Sequence, residues 1–346
     1  MAHELSFIND RAEFAFLTGT PVWHGFGQEV PAEHAGSIDY WLAASNMGNW
    51  TIKTAPTLCY DDASDEVITF PSRKLLYRSD TRQPLADVGA GYNVVQPREV
   101  VEFFRDITAT MGFDMVTCGV LFGGRKFWAQ ASIGKPVSIL GQEQVNGHLL
   151  LATSCDGSMK TRAQYTTTCV VCNNTLRMAT ATDRDSVEMS HATQFNADQV
   201  KEALELKPEA FLRWQRTAEQ MAGYRLDSRR AADFFDLVFN GAIPELVAAD
   251  NLLPATLEQL EAVHGQQERG NSRAIDRCIE LYSGDMLGGN LDARRNTLWG
   301  AVNCVTEYID HHRPTKTMDA RIERAWFGDG ASIKSRAWEE ALLMAA

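Results

Sequence analysis

Gly123-Gly124 lies between two runs of strand character, Met115 to Phe122 and Lys126 to Ile133. Both central residues of a tight hairpin turn take positive φ, which glycine adopts at no steric cost, so this dipeptide dictates an antiparallel pair. Asp156-Gly157 repeats the device between His148 to Ser154 and Met159 to Thr168. Ahead of these strands, Pro97 suits the first turn of a helix. Val100, Val101, Phe103, Phe104 and Ile107 then follow at helical spacing as far as Met111-Gly112. Behind them, Val170 to Ala181 places Val170, Val171, Leu176 and Met178/Ala179 along one side of a second helix. Helix, two hairpins, helix implies an α+β fold, an antiparallel β-meander sheet with helices on one face.

The rest of the chain divides around this block. Residues 1–50 read as an irregular N-terminal arm with a short helix at Ile38 to Ala44. Residues 51–182 form the sheet domain. Its earlier hairpins are Thr57 to Tyr60 with Val67 to Phe70, across Asp61-Asp62-Ala63-Ser64-Asp65, and Leu75 to Arg78 with Leu85 to Val88. Tyr92 to Val95 reads as one more short strand. Residues 183–346 are mainly helical, with helical periodicity at Asp198 to Leu206, Pro208 to Tyr224, Ser228 to Phe239, Leu257 to Val263, Ser272 to Tyr282 and Thr297 to His312. Val263 to Asn271 is a polar hinge.

Hydrophobic residues at 45% and charged residues at 23% exclude a disordered or fibrous chain. No apolar run approaches the ~18 residues of a membrane span, and Met1-Ala2-His3-Glu4 opens no export signal. Seven cysteines, odd in number and mostly in apolar surroundings, suit a reducing cytoplasm, where the chain is expected to reside.

Charge is unevenly spread. Between Cys118 and Thr182 stand Arg125, Lys126, Lys135, Lys160, Arg162 and Arg177 against Glu143 and Asp156, which is 6 − 2 = +4. The chain totals −12, so the remainder carries −16. Strand alternation places Lys160 with Arg162 on one face, and Lys126 beside Trp128. Cations for phosphates interleaved with aromatics for bases make a groove for single-stranded nucleic acid. The competing account is a solvated sheet face with a half-buried Trp128.

Other constellations carry less. Cys169-Val-Val-Cys172 lacks the second ligand pair of a zinc site and suits core packing. Gly89-Ala90-Gly91 precedes a strand rather than the helix that a dinucleotide loop requires. Ser154-Cys155-Asp156-Gly157-Ser158 is accounted for as a hairpin tip, with His148 the one nearby base. His24 suits an anchored loop, and His311-His312 a helix C-terminus. No catalytic residue, metal ligand or cofactor is expected from the residues themselves.

Six strings together resemble the phage/plasmid-like protein family, domain of unknown function 932. They are Pro21 to Gly27, Tyr92 to Pro97, Gly123 to Ala129, Thr153 to Ser158, Val170 to Leu176 and Asn303 to His312. Cys155 departs from the histidine expected in the Ser-His-Asp-Gly-Ser string. The resemblance implies a mobile-element setting but no activity. There, the order of elements is similar to the core of single-strand annealing proteins, which assemble as rings or filaments on DNA.

The leading expectation is single-stranded DNA binding and strand annealing in phage or plasmid recombination, by a homo-oligomer and without catalysis. Arg125, Lys126, Lys160, Arg162 and Arg177 would hold phosphates, and Trp128 and Tyr165 would stack on bases. A phage exonuclease or a host protein is a further partner on this view, and a membrane is not. The alternative is an interaction module that inhibits a host defence or restriction system through acidic helices bearing Glu202, Glu205, Glu209 and Glu219.

Overall fold

Alternation of side chains across paired strands organises the computed structural model, which describes residues 7–8, 11–19, 27–111, 113–169, 175–177, 186–203, 208–241 and 271–345. Strands β1 (Phe7–Ile8) and β2 (Arg11–Ala12) form a small ribbon. Strands β3 (Phe14–Leu17) and β4 (Gln28–Val30) belong to the main sheet. Helix α1 (Ile38–Ala44), capped by Ser37, falls where the sequence placed it. A separate three-stranded sheet follows, made of β5 (Ile52–Asp61), β6 (Glu66–Arg78) and β7 (Pro84–Gly89).

Tyr92 to Val95, expected as a strand, has no regular structure. Gln96 and Glu99 then close a capping box on α2 (Pro97–Glu102), and α3 (Arg105–Met111) follows after a break. The expected single helix is thus two. The break falls at Phe103 and Phe104, both buried and packed edge to face.

The main sheet continues with β8 (Met115–Leu121), β9 (Lys126–Ser132), β10 (Val137–Ile139), β11 (Glu143–Ser154), β12 (Thr161–Cys169), β13 (Thr175–Arg177) and β14 (Ser186–Met189). Its order is β13-β12-β11-β9-β8-β3-β4, with β10 on β11 and β14 on β12. All pairs are antiparallel except β3 with β4. At the β8–β9 turn Phe122, Gly123 and Gly124 all have positive φ. A Cβ on Gly124 would meet Trp50 at 3.0 Å and Arg78 at 3.2 Å, so both backbone and space require glycine there. Thr175–Arg177 is a strand, although helix was expected over 170–181. Short apolar runs carry no period that separates the two states, and the open edge of β12 decides this one. The rest of that expected helix lies outside the described residues.

The helical half comprises α4 (Ala197–Ala203), α5 (Pro208–Gly223), α6 (Ser228–Asn240), α7 (residues 271–280), α8 (Leu298–Glu307), α9 (Met318–Trp326) and α10 (Asp329–Ala345). The last two were not anticipated, and the expected helix at 257–263 lies outside the described residues. One face of the sheet, with Phe127, Ala129, Leu149, Leu151, Ala163 and Tyr165, shares a continuous core with α2, α5, α8 and α10. At its centre Trp214 stacks on Trp338, ring centroids 5.5 Å apart, and meets Trp299 edge-on. Glu143 and Arg294 form a fully buried pair between sheet and helices. Helix α9 packs on the opposite face, where Ile322 joins Phe14, Leu121, Trp128 and Leu150. Helices therefore cover both faces, not one. Among the described residues no helix is long and apolar enough to cross a membrane.

Candidate functional site

Register fixes which side chains share the face expected to bind nucleic acid. Lys126, Trp128 and Gln130 of β9 lie level with Ser154, Ala152 and Leu150 of β11. Arg162, Gln164 and Thr166 of β12 continue the rows. Tyr165 has the opposite parity and is buried in the helix-side core. Arg177 pairs through its backbone with Thr166, and its side chain lies outside the described residues.

Helix α9 closes the β8–β9 end of this face. Lys126 Nζ donates to Glu323 Oε1 at 2.9 Å, and the Phe122 amide donates to Asp319 Oδ2 at 2.5 Å. Trp326 sets its ring edge-on to Trp128, centroids 4.9 Å apart. Trp128 has no exposed surface. Further along, Glu188 of β14 accepts from both Lys160 and Arg162. Two cations sharing one carboxylate leave a single positive charge. Arg125, in the β8–β9 turn, is exposed with no carboxylate partner among the described residues. Of the seven side chains expected to touch nucleic acid, Arg125, Lys160 and Arg162 reach the surface together near one sheet end. Lys126, Trp128 and Tyr165 are buried.

Three of the six sequence strings meet at that same end. Tyr92 Oη donates to the Ser154 carbonyl at 3.0 Å, and the Cys155 amide donates to the Arg125 carbonyl at 2.8 Å. His191 stacks on Tyr92 and sets its two ring nitrogens 3.1 Å from the carbonyls of Asn93 and Met159. Beneath them Arg78, fully buried, pairs with Glu13 at 2.7 Å and Asp80 at 2.8 Å and lies 3.8 Å over Trp50. The loop itself offers little chemistry. Asp156 accepts from the Ser158 amide and hydroxyl, and burial pushes the Cys155 thiol up to about 12. A protonated thiol and a carboxylate committed to a turn make no nucleophile–base couple. Among the described residues no group of three or more His, Cys, Asp or Glu is placed to hold a metal ion. Cys172 and the Cys169 side chain lie outside the described residues.

Two features go beyond the sequence-based expectations, the second being the exposure of a hairpin that was itself expected. One is a cationic patch in the helical half, where Arg225, Arg229 and Arg230 are all exposed. Arg230 donates to Tyr224 Oη at 2.5 Å, and Arg225 donates to the Arg295 carbonyl at 3.0 Å. The string Tyr224-Arg225 followed by Arg229-Arg230 was its available signal. The other is the outer half of the β5–β6 hairpin. Strand β7 covers β6 only over Arg73–Tyr77, so residues 57–72 stand out as a two-stranded arm. Leu58 and Tyr60 are 56% exposed, Val67 63%, Ile68 43% and Phe70 42%. Tyr60 faces Val67 across the strands, Leu58 faces Thr69 and Cys59 faces Ile68, so both faces of the arm are apolar.

The profile of the family described as "Domain of unknown function (DUF932)" matches residues 84–326, well over half of the chain. The chain belongs to that family. No curated protein and no solved structure matches it. The matched span begins at β7 and ends at the last residue of α9, so it takes in the main-sheet strands from β8 onward, five of the six sequence strings and most of the helices. It leaves the β5–β6 arm outside.

Proposed function

We propose that this chain is a protein-interaction module that docks its partner along the β5–β6 arm. The observation that carries this is the set of five large apolar side chains, Leu58, Tyr60, Val67, Ile68 and Phe70, exposed on the two faces of an arm that no third strand covers. An isolated two-stranded hairpin is marginal in water, and natural sheets normally blunt such edges with charge. Here charge is confined to the turn, at Asp61, Asp62, Asp65 and Glu66. A photo-crosslinking residue at Val67 of the full chain tests the idea. The expected result is a discrete protein adduct that disappears when Leu58 and Tyr60 are changed to serine. Adducts no more abundant than from a probe at Leu343, another exposed apolar position, would count against it. The host-inhibitor form would instead use the acidic helices, where Glu202 is exposed and Glu219 accepts from Gln215 at 3.0 Å.

Single-stranded DNA binding is the second reading. Its support is the residual positive charge of Arg125 and the Lys160–Arg162 pair at one sheet end, together with the separate Tyr224 patch. On this view stacking falls to Tyr224 rather than to Trp128 and Tyr165. Anisotropy of a labelled oligonucleotide across a salt series tests it. Arg125→Ala with Lys160→Ala should flatten the slope of log K against log salt by about 1.4, at about 0.7 for each phosphate no longer neutralised. Binding indifferent to salt rejects it.

A further inference from the structure

Helix α5 turns a cationic stripe to solvent. Phe211, Trp214, Ala218, Met221 and Ala222 are buried on its inner side. At 3.6 residues per turn Arg213, Arg216 and Gln220 fall together on the outer side, and all three are exposed. The Tyr224 amide still donates to the Gln220 carbonyl, so Tyr224 continues that side where the helix ends. The chain then crosses the entry of α8. The Leu298 amide donates to the Tyr224 carbonyl and the Leu226 amide to the Asn296 carbonyl, each at 3.0 Å, which holds Arg225 at the end of the stripe. Arg229 and Arg230 follow in the first turn of α6, and the Arg230 guanidinium returns to lie 5.3 Å from the centre of the Tyr224 ring.

Exposed arginines elsewhere on this acidic chain take carboxylates. Arg73 holds Asp87, Arg98 and Arg105 hold Glu102, and Arg277 holds Glu280. Among the described residues Arg213, Arg216, Arg225, Arg229 and Arg230 pair with none. The carboxylates of the same stretch are turned to other partners, Glu219 accepting from Gln215 and Asp227 from the Arg230 amide. Asp233 is exposed one turn into α6, and the side chain of Glu209 lies outside the described residues. Residues 211–233 therefore carry 5 − 3 = +2 in a chain of −12. Folding does not ask for these charges. Arg229 and Arg230 stand at the positive end of the α6 dipole, where cations cost stability.

We propose that this stripe binds the phosphate backbone of single-stranded DNA. This rests on the second reading above, that the chain binds such a strand, and it supplies a contact surface separate in sequence from the sheet end at Arg125. From Arg213 to the end of α5 the stripe runs about 15 Å, and Arg225, Arg229 and Arg230 extend it. Cations spread along a line suit the repeated charge of a polyanion rather than one isolated phosphate group. Guanidinium groups without a carboxylate keep their paired donors available for phosphate oxygens. Each phosphate so neutralised releases counterions, which makes the contact readable in its salt dependence.

Anisotropy of a labelled single-stranded oligonucleotide with the full chain gives the test. Arg213→Gln with Arg216→Gln and Arg225→Gln should weaken binding about tenfold or more at low salt and flatten the slope of log K against log salt by about 2, at about 0.7 for each of three phosphates. Arg73→Gln with Arg98→Gln and Arg277→Gln removes the same charge from arginines that already hold carboxylates, and should weaken binding less than about threefold. Circular dichroism should be unchanged in both. A photo-crosslinking residue at Gln220 of the otherwise native chain should form an adduct with the oligonucleotide, and one at Leu343 should not. Equal losses in the two triple variants overturn the proposal, as does an adduct from Gln220 no stronger than that from Leu343. A duplex of the same sequence bound as tightly overturns the assignment to single strands. If the stripe variant keeps full affinity while Arg125→Ala with Lys160→Ala loses it, the stripe fails and DNA binding at the sheet end stands. If the wild type binds no oligonucleotide, both fail.

Discussion

Removing the carboxylate of Glu143 should be among the most damaging single changes available in this fold. Its two oxygens accept from Arg294 Nη2 at 2.5 Å, Arg294 Nε at 3.0 Å and the Trp299 indole nitrogen at 2.9 Å. Neither member of the pair has exposed side-chain surface. Glu143→Ala strands a guanidinium where water cannot reach it and orphans an indole N–H. Breaking one side of a buried pair costs about 3–5 kcal/mol, and the indole adds about 1. Total stability of a folded domain is about 5–15 kcal/mol, so a loss near 4 is a large fraction of it.

With a urea slope of about 3 kcal/mol/M, the unfolding midpoint should fall by more than 1 M. Far-UV circular dichroism and tryptophan fluorescence report the transition, because Trp214, Trp299 and Trp338 surround the pair's end of the core. The double variant Glu143→Leu with Arg294→Met should recover most of that loss, since two apolar groups of similar volume need no partner. A Glu143→Ala cost below about 1 kcal/mol refutes the reasoning. So does a double variant whose loss equals the sum of the singles, because coupled neighbours should depart from additivity.

Other consequences can be checked separately. Burial holds His148 down to about 4, so the folded chain keeps it neutral where the unfolded chain, near 6.5, takes up a proton. Stability from this group is complete above pH 6.5 and is lost as pH falls toward 4, by up to about 3 kcal/mol. Urea midpoints measured over that range should fall more steeply for the wild type than for His148→Gln. Ellman's reagent should label Cys59, which is exposed, well before Cys118 and Cys155, whose thiols burial pushes up to about 12. Equal rates in the folded chain would contradict that burial. Lys126→Gln should leave affinity for single-stranded DNA unchanged, because its ammonium is already held by Glu323, whereas Arg125→Ala should reduce any such affinity.

Local rules read the centre of the fold well. Two glycine-containing turns and strand alternation sufficed for β8, β9, β11 and β12, and Ser37, Gln96 and Asp227 sit at the starts of helices that the sequence pattern had placed. What failed depended on distant chain. Strand β3 spans only Phe14–Leu17, too short for a pattern, and exists because the edge of β8 accepts it. Strand β13 exists because the edge of β12 does. Helix α9 covers the second sheet face from far along the chain, Lys126 and Glu323 being 197 residues apart.

The same distinction explains why the basic block gave an incomplete account of the surface. Counting six cations against two carboxylates between Cys118 and Thr182 measures charge along a segment, whereas a ligand meets charge on a surface. Glu188 and Glu323, both outside that segment, neutralise part of it from β14 and α9. One error was avoidable from parity alone. Arg162 and Tyr165 are an odd number of residues apart on one strand, so they cannot share a face, and strand geometry by itself excludes a groove using both. The arm shows the converse. Its alternating apolar residues were legible as a hairpin, but nothing local distinguishes a hairpin that packs on a core from one that projects into solvent. That difference rests on β7 ending its pairing at Arg73, which leaves the outer strands to find their neighbours elsewhere.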